Sequence, residues 1–133
     1  MDVHTTYYHA TTVDLAPEEA EARVRSLLEE EGFGVLTEID LAATLKKKLD
    51  ADVRPYKILG ACNPPAAYQA LQAEDKIGTM LPCNVIVQAA DDGRTEVAAV
   101  DPVASMQAVE NEALRPIAEE IRERLRRVID RMG

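Results

Sequence analysis

Apolar and polar residues along the chain follow two periods, one typical of strands and the other of helices. Segments that lack a helical period and are rich in β-branched or aromatic residues predict strands. Such strands are predicted over Val3–Val13, Phe33–Ile39, Tyr56–Ala61, Met80–Ala89 and Thr95–Val100. The sequence Asp91-Asp92-Gly93 between the last two strands is typical of a hairpin turn, so this pair is predicted to be antiparallel.

Apolar residues spaced three or four positions apart predict helices between these strands. The clearest stripe is at the C-terminus and consists of Leu114, Ile117, Ala118, Ile121, Leu125, Val128, Ile129 and Met132. Another helix is predicted from Pro17 to Gly32, where Pro17 suits the first turn and Gly32 ends the helix. Pro116 either opens or kinks the C-terminal helix, because proline inside a helix removes a backbone bond. Val103–Val109 is expected to form a separate helical turn or two.

Two shorter helices begin at good capping residues. Asp40 is a plausible N-cap for a helix on which leucines recur every four residues, and Asn63 followed by Pro64 combines an N-cap with proline at the first helical position. In the second of these helices, Ala67, Leu71 and Tyr68 are expected to form the buried stripe.

The predicted order is therefore β-α-β-(α)-β-α-β-β-α. A tight hairpin implies antiparallel pairing, and a long amphipathic helix needs a sheet face to cover. We expect an α+β fold in which helices pack on one face of an antiparallel sheet. A chain of 133 residues fits a single domain, 1–133.

Charge excludes one class of partner. The formal net charge of −9 argues against nucleic acid, because phosphate binding requires clustered lysine and arginine. Seven acids lie between Asp14 and Glu31, and six arginines lie between Arg115 and Arg131. These stripes are expected to form two solvated helix faces that could meet across the domain.

Membrane association and secretion are not predicted. No apolar run approaches the ~18 residues of a membrane span, and the first residues lack a basic segment followed by an apolar one. We therefore expect a cytoplasmic protein whose cysteines are reduced.

Cys62 and Cys83 are the most distinctive chemical feature of the sequence. Cys62 precedes the helix that begins at Pro64. A thiol at a helix N-terminus can have a pKa below the usual ~8.5 and so form its thiolate more readily. Pro64 and Pro65 lack N–H groups and weaken this effect. The alternative interpretation, that Cys62 is a small buried apolar residue at the end of a core strand, is the more common case.

Cys83 alternates in phase with Leu81, Val85 and Val87, which indicates burial on the same sheet face. If the two cysteine strands are neighbours, the thiols could form a disulfide, a soft-metal site or a redox couple. Two thiols without fixed further ligands are a weak zinc signal, and no C-x-x-C motif is present, so no metal ligand set is predicted.

Other candidate residues are polar side chains near strand ends. Glu38 and Asp40 could present two carboxylates to a ligand, although Asp40 also serves as an N-cap. His4 and His9, five apart in one predicted strand, would point to opposite faces and could not share a metal. The sequence contains no Gly-rich phosphate loop and no Gly-x-Ser-x-Gly motif, and it identifies neither a catalytic mechanism nor a cofactor.

Four segments together resemble the family known as domain of unknown function 302. They are Gly32-Phe33-Gly34-Val35 with Glu38-Ile39-Asp40, Leu59-Gly60-Ala61-Cys62-Asn63-Pro64, Leu81-Pro82-Cys83-Asn84-Val85, and Asp101-Pro102. The resemblance implies an α+β domain of the TATA-binding-protein-like class, with a curved antiparallel sheet, a long C-terminal helix and a dimeric state. It implies no established activity, and a shared fold does not fix function.

Three functions remain open at this stage. The favoured one is a dimeric small-ligand binding module whose cleft lies near the two cysteine motifs, with Glu38, Asp40, Cys62, Asn63 and Cys83 as ligand contacts. The alternatives are thiol-based redox or soft-metal binding through both cysteines, and a structural or interaction protein. We expect a homodimer because of the resemblance and because the β-rich N-terminal segment would otherwise leave a strand edge open.

Overall fold

The fold is built on one antiparallel sheet, seen in a computed structural model that describes residues 2–4 and 7–133, with the backbone alone for 2–4. In this part of the chain the sheet has six strands in the order β1-β2-β6-β5-β4-β3. The strands are β1 (Asp2–His4), β2 (Tyr8–Val13), β3 (Gly34–Asp40), β4 (Tyr56–Cys62), β5 (Cys83–Ala89) and β6 (Thr95–Val100). Every pair of neighbouring strands runs antiparallel, including the predicted β5–β6 hairpin.

Five α-helices accompany the described strands. They are α1 (Pro17–Glu30), α2 (Leu41–Leu49), α3 (Pro64–Ala73), α4 (Pro102–Ser105) and α5 (Arg115–Asp130), with short 3-10 turns at Asp75–Met80, Asp91–Gly93 and Glu112–Leu114. The predicted α+β class is confirmed. Pro116 lies in the first turn of α5 and therefore opens the helix rather than kinking it.

The core lies between α1, α5 and one face of the sheet. The α5 residues Ile121, Leu125, Val128 and Ile129 are buried against apolar residues of α1 and of the central strands. Side chains alternate between the faces of a strand, so Val85 and Val87 enter this core while Ile86 faces the other side. On the side away from the core, Tyr56, Ile86 and Ala98 border a groove.

Three local expectations are wrong. Val3–Val13 is not one strand, because β1 and β2 pair antiparallel, with Asp2 opposite Thr11 and His4 opposite His9. His4 and His9 therefore lie on two paired strands, so alternation along one strand does not place them on opposite faces; the side chain of His4 lies outside the described residues. The sheet strand predicted from Met80 begins only at Cys83, because Met80 ends a 3-10 turn.

The third correction concerns the face that α3 buries. The expected stripe contained Ala67, Leu71 and Tyr68, but the buried residue of this helix is Ala70. Leu71 is 51% exposed and Tyr68 is 64% exposed. α3 carries alanines on both sides of its axis, so its apolar period is weak and its packing against the rest of the fold decides which face is buried.

The acidic and basic stripes do meet. Arg127 donates to both carboxylate oxygens of Glu31, at 2.9 and 3.1 Å, and Arg131 donates to Glu30 at 3.0 Å. Arg124 donates to the backbone oxygen of Glu31 at 2.9 Å. The hydrogen bonds from Arg127 are the main reason that the pKa of Glu31 lies below its ordinary value. These contacts join the C-terminal end of α1 to the outer face of α5.

Candidate functional site

The sheet brings the two cysteine motifs together at one end. β4 ends at Cys62 and β5 begins at Cys83, and the register pairs Cys83 with Ala61, the residue before Cys62. The two cysteines therefore lie on adjacent strands, offset by one register position, as the sequence suggested they could be. Both are free thiols.

A small apolar pocket opens beside the two cysteines. Its wall is formed by Phe33, Ala61, Cys62, Asn63, Ala66, Ala67, Ala70, Leu81, Pro82, Cys83, Pro102, Met106, Ile117, Ala118 and Ile121. None of these side chains carries a formal charge when the thiols are protonated, and five are alanines. The space open to a water-sized molecule is about 40 Å³, whereas pockets for drug-sized ligands measure roughly 300–1,000 Å³. The pocket therefore suits an ion or a ligand of a few atoms.

The two thiols have different environments within this pocket. Cys83 is buried, and burial, with a smaller contribution from Cys62, raises the pKa of its thiol to about 11. Cys62 is half-buried. Cys62 is therefore the more accessible thiol, while Cys83 belongs to the main core.

Asn63 fixes the geometry next to Cys62. Its Oδ1 accepts a hydrogen bond from the N–H of Ala66 at 3.1 Å, which confirms the predicted N-cap. The N–H of Ala67 donates to the backbone oxygen of Asn63 at 2.9 Å. Because Pro64 and Pro65 have no N–H, the donors of this helix start are used internally. The first turn of α3 therefore has no free N–H group that could stabilise a thiolate at Cys62.

Glu38 lies away from the pocket in a ring of ion pairs. Its carboxylate is paired with Arg25 and, at 3.2 Å, with Lys57. Glu21 completes the ring, at 2.9 Å from Arg25 and 3.0 Å from Lys57. Although burial acts in the opposite direction, hydrogen bonds from Lys57 and Arg25 hold the pKa of Glu21 below its ordinary value. The carboxylate of Glu38 is thus neutralised by ion pairs within the protein.

Asp40 has the structural role that its position predicted. Its Oδ1 accepts from the N–H of Ala43 at 2.9 Å and caps α2. In the register of β3 with β4, Asp40 lies opposite Lys57. Lys57 is five residues from Cys62 on β4, a distance of about 17 Å at ~3.3 Å per strand residue. The structure brings Cys62, Asn63 and Cys83 together, and it does not bring Glu38 or Asp40 to them.

Asp40 instead borders a larger and more open cleft between α1 and α2. This cleft offers about 520 Å³ and includes Glu21, Lys46, Asp52 and Lys57 in its lining. Its charged groups pair with one another: Lys57 contacts Glu21, and Lys46 contacts Asp52 at 3.0 Å. We therefore place the candidate site at the cysteine pocket, which is smaller than this cleft but is lined by both thiols.

Two features of the structure arise only from the fold and were not predicted from the sequence. Met106 follows α4 and lies 23 positions after Cys83 in the sequence, yet it lines the same pocket. Buried His9 lies 2.8 Å from Asp130 of α5, measured from Nε2 to Oδ1, although 121 residues separate them. Neither pair shares a local motif, so the sequence held no signal beyond residue type.

Among residues 7–133 no three histidine, cysteine, aspartate or glutamate side chains form a group that could hold a metal ion. No described helix is long and apolar enough to cross a membrane.

The fold and site define an α+β protein with an open antiparallel sheet, a long C-terminal helix and a two-thiol pocket at one sheet end. The chain belongs to the DUF302 family (Domain of unknown function DUF302), whose family model matches residues 9–132. It is similar to the crystal structure of an uncharacterized conserved DUF302 protein from Bacillus stearothermophilus, with 29% identity and a TM-score of 0.90. That similarity covers 97% of this chain and 100% of the other. No curated protein matches the chain.

Proposed function

We propose that the protein is a small-ligand binding module whose ligand occupies the pocket beside Cys62 and Cys83. The observation that carries the proposal is the convergence of both free thiols on one pocket with about 40 Å³ of open space. Apolar cavities of modest size can hold apolar guests rather than water. The ligand is accordingly small and either apolar or soft in its chemistry.

The site residues take different roles in this proposal. Cys62 and Cys83 contact the ligand directly, and Asn63 positions the start of α3 that forms one wall. In this proposal Glu38 and Asp40 do not contact the ligand, because the first is held by Arg25 and Lys57 and the second caps α2. The proposed site thus contains fewer residues than the one expected from the sequence.

Xenon is a suitable probe of this pocket. In protein with 13C-labelled methyl groups, we expect xenon to shift the signals of Ile117 and Ile121, both of which line the wall. Ala67→Leu should suppress the shifts by filling the pocket, and Ala42→Leu, in the larger cleft, is the matched control. Shifts that persist in Ala67→Leu, or no shifts at any probe concentration, would contradict the proposal.

A thiol-based redox function is a second candidate. It is favoured by the position of Cys62 and Cys83 on adjacent strands, where both line one pocket. The corresponding reaction is oxidation of both thiols by diamide to one intramolecular disulfide, with two protons and two electrons passing to the oxidant. Intact mass spectrometry should show a loss of two hydrogens (about 2 Da by stoichiometry), which dithiothreitol reverses. Oxidation that gives only mixed adducts at Cys62 would exclude this function.

We also propose that the functional unit is a homodimer. Strand β3 lies at the end of the sheet order in the described chain, and its side chains Leu36 and Ile39 are 68% and 47% exposed. An open edge that carries apolar side chains favours pairing with another chain. Light scattering at micromolar concentration should report twice the 14.6 kDa mass of the chain. A 14.6 kDa particle would contradict the dimer.

A further inference from the structure

Three sulfur-containing side chains line the cysteine pocket. Cys62 ends β4, Cys83 begins β5, and Met106 follows α4. All three contribute to the same wall, although they come from separate elements. Because the sheet and the α4 segment fix these elements independently, the convergence does not depend on a single flexible loop.

The size of the pocket limits what these sulfurs can hold. About 40 Å³ is open, which accommodates an ion or a few atoms and excludes a drug-sized molecule. The remaining lining is apolar apart from Asn63, whose Oδ1 and Nδ2 are bonded to Ala66 and Gly32. The pocket therefore offers a guest thiols and a thioether, and it offers no carboxylate or imidazole.

We propose that Cys62, Cys83 and Met106 form a binding site for a monovalent soft metal ion, of which copper(I) is the natural example. This inference rests on the proposed ligand pocket and names the class of its ligand. Thiolate and thioether ligands select copper(I) over harder divalent ions. On binding, the two thiols release their protons to solvent, and each sulfur donates an electron pair to the metal.

The elements around the site also fit a soft ion. Met has three rotatable bonds and a polarizable thioether, so Met106 can adjust to a metal that enters between the cysteines. Cys62 is half-buried and gives the ion a path from solvent, whereas Cys83 lies in the core. Carboxylates that would favour calcium or magnesium do not line the pocket.

An anaerobic titration with copper(I), using bicinchoninate as the competing chelator, tests the site. We expect one copper(I) per chain, with binding lost in Cys62→Ser and in Cys83→Ser and weakened at least tenfold in Met106→Leu. Met80→Leu is the matched control, because Met80 packs in the same apolar cluster as Met106 but does not line the pocket. X-ray absorption should count three sulfur neighbours in wild type and two in Met106→Leu.

The outcomes separate this inference from the broader proposal. Unchanged affinity in Met106→Leu, or full binding after loss of either cysteine, would overturn the three-sulfur site. Circular dichroism spectra and urea midpoints establish that each variant folds, and Met106→Leu preserves side-chain volume for this reason. If copper(I) fails to bind while xenon still shifts the pocket methyls, the metal site is wrong and the small-ligand pocket stands. If both fail, the pocket itself is not a binding site.

Discussion

Asn63 forms a hydrogen bond with Gly32, 31 positions earlier in the sequence: its Nδ2 donates to the backbone oxygen of Gly32 at 3.2 Å. The same amide caps α3 through its Oδ1. Gly32 has φ of 87°, a conformation that favours glycine, and a Cβ there would lie 3.1 Å from Asn63 Nδ2. One side chain thus holds the turn after α1 against the turn that follows Cys62.

Replacing Asn63 should separate these two roles. Asn63→Ala removes both hydrogen bonds, and loss of a cap typically costs about 0.5–2 kcal/mol of stability. Asn63→Asp keeps an acceptor for the N–H of Ala66 but loses the donor to Gly32, so it should cost less. Urea unfolding of both variants measures this order. Asn84→Ala, at an exposed position of β5, is the control and should stay near wild type; equal costs for Ala and Asp at position 63 would contradict the cap.

Gly60 should tolerate no side chain. A Cβ built on Gly60 would overlap Thr37 Oγ1 and lie 2.7 Å from Pro82 Cγ. Overpacking of this kind costs about 1–3 kcal/mol, so we expect Gly60→Ala to lower the urea midpoint clearly. Gly34→Ala is the matched control, because a Cβ at Gly34 meets nothing within 4 Å. A Gly60→Ala variant as stable as Gly34→Ala would show that the Thr37 and Pro82 segments yield easily.

The sequence predicted those parts of the fold in which local and long-range preferences agree. The α5 stripe, the caps at Asp40 and Asn63, and the β5–β6 hairpin all combine a strong local signal with a matching place in the core. Prediction from the sequence failed where tertiary contacts decide the local structure. Val3–Val13 is uniformly β-forming and contains no glycine or proline turn signal, so its division into two strands was hidden.

The candidate site was predictable only in part, for a related reason. Cys62, Asn63 and Cys83 sit at the ends of strands that pair, and strand pairing follows from the fold class. Met106 joins them because of the path of the chain after β6, which no spacing rule encodes. Glu38 illustrates the opposite case, because its ion pairs with Arg25 and Lys57 come from α1 and β4 and could not be read locally. The TATA-binding-protein-like class and the cytoplasmic location stay predictions.

Leu125 should contribute more to stability than the site residues. It lies mid-helix in α5, is 1% exposed and belongs to the main core. Leucine-to-alanine changes at such positions cost about 2–5 kcal/mol. Cys62→Ala and Glu38→Ala remove partly exposed groups and should cost less. Urea midpoints for the three variants decide the order, and a Leu125→Ala midpoint close to wild type would count against the central position of α5.

The two thiols should react with iodoacetamide at different rates. Cys62 is half-buried and accessible, so it should be alkylated first in the folded protein. Cys83 is buried and should react only when the sheet end opens. Mass spectrometry of wild type, Cys62→Ser and Cys83→Ser gives the rate at each position. Added copper(I) should protect both thiols if the three-sulfur site exists. Equal, slow labelling at both positions would leave the cysteines with packing roles alone.

Cys83 should also make stability depend on alkaline pH. Its pKa is raised from 9.0 to about 11, mainly because burial disfavours the thiolate. The stability contributed by keeping this thiol neutral is fully present below pH 9, where the thiol is protonated in both states. Between pH 9 and about 11 the unfolded chain releases the proton while the folded protein keeps it, so stability falls as pH rises. A shift of two pKa units corresponds to a loss of about 3 kcal/mol at most.

The difference between wild type and Cys83→Ala isolates this effect, because every other ionisable group is common to both proteins. Urea unfolding at pH 8, 9, 10 and 11 should show wild type losing stability faster than Cys83→Ala. Cys62→Ala should retain the steep dependence, since the buried thiol is still present. Parallel pH profiles for wild type and Cys83→Ala would mean that Cys83 ionises as readily in the folded protein as in the unfolded chain. The pocket around it would then be open to water, and a dry site for a soft ligand could not be maintained there.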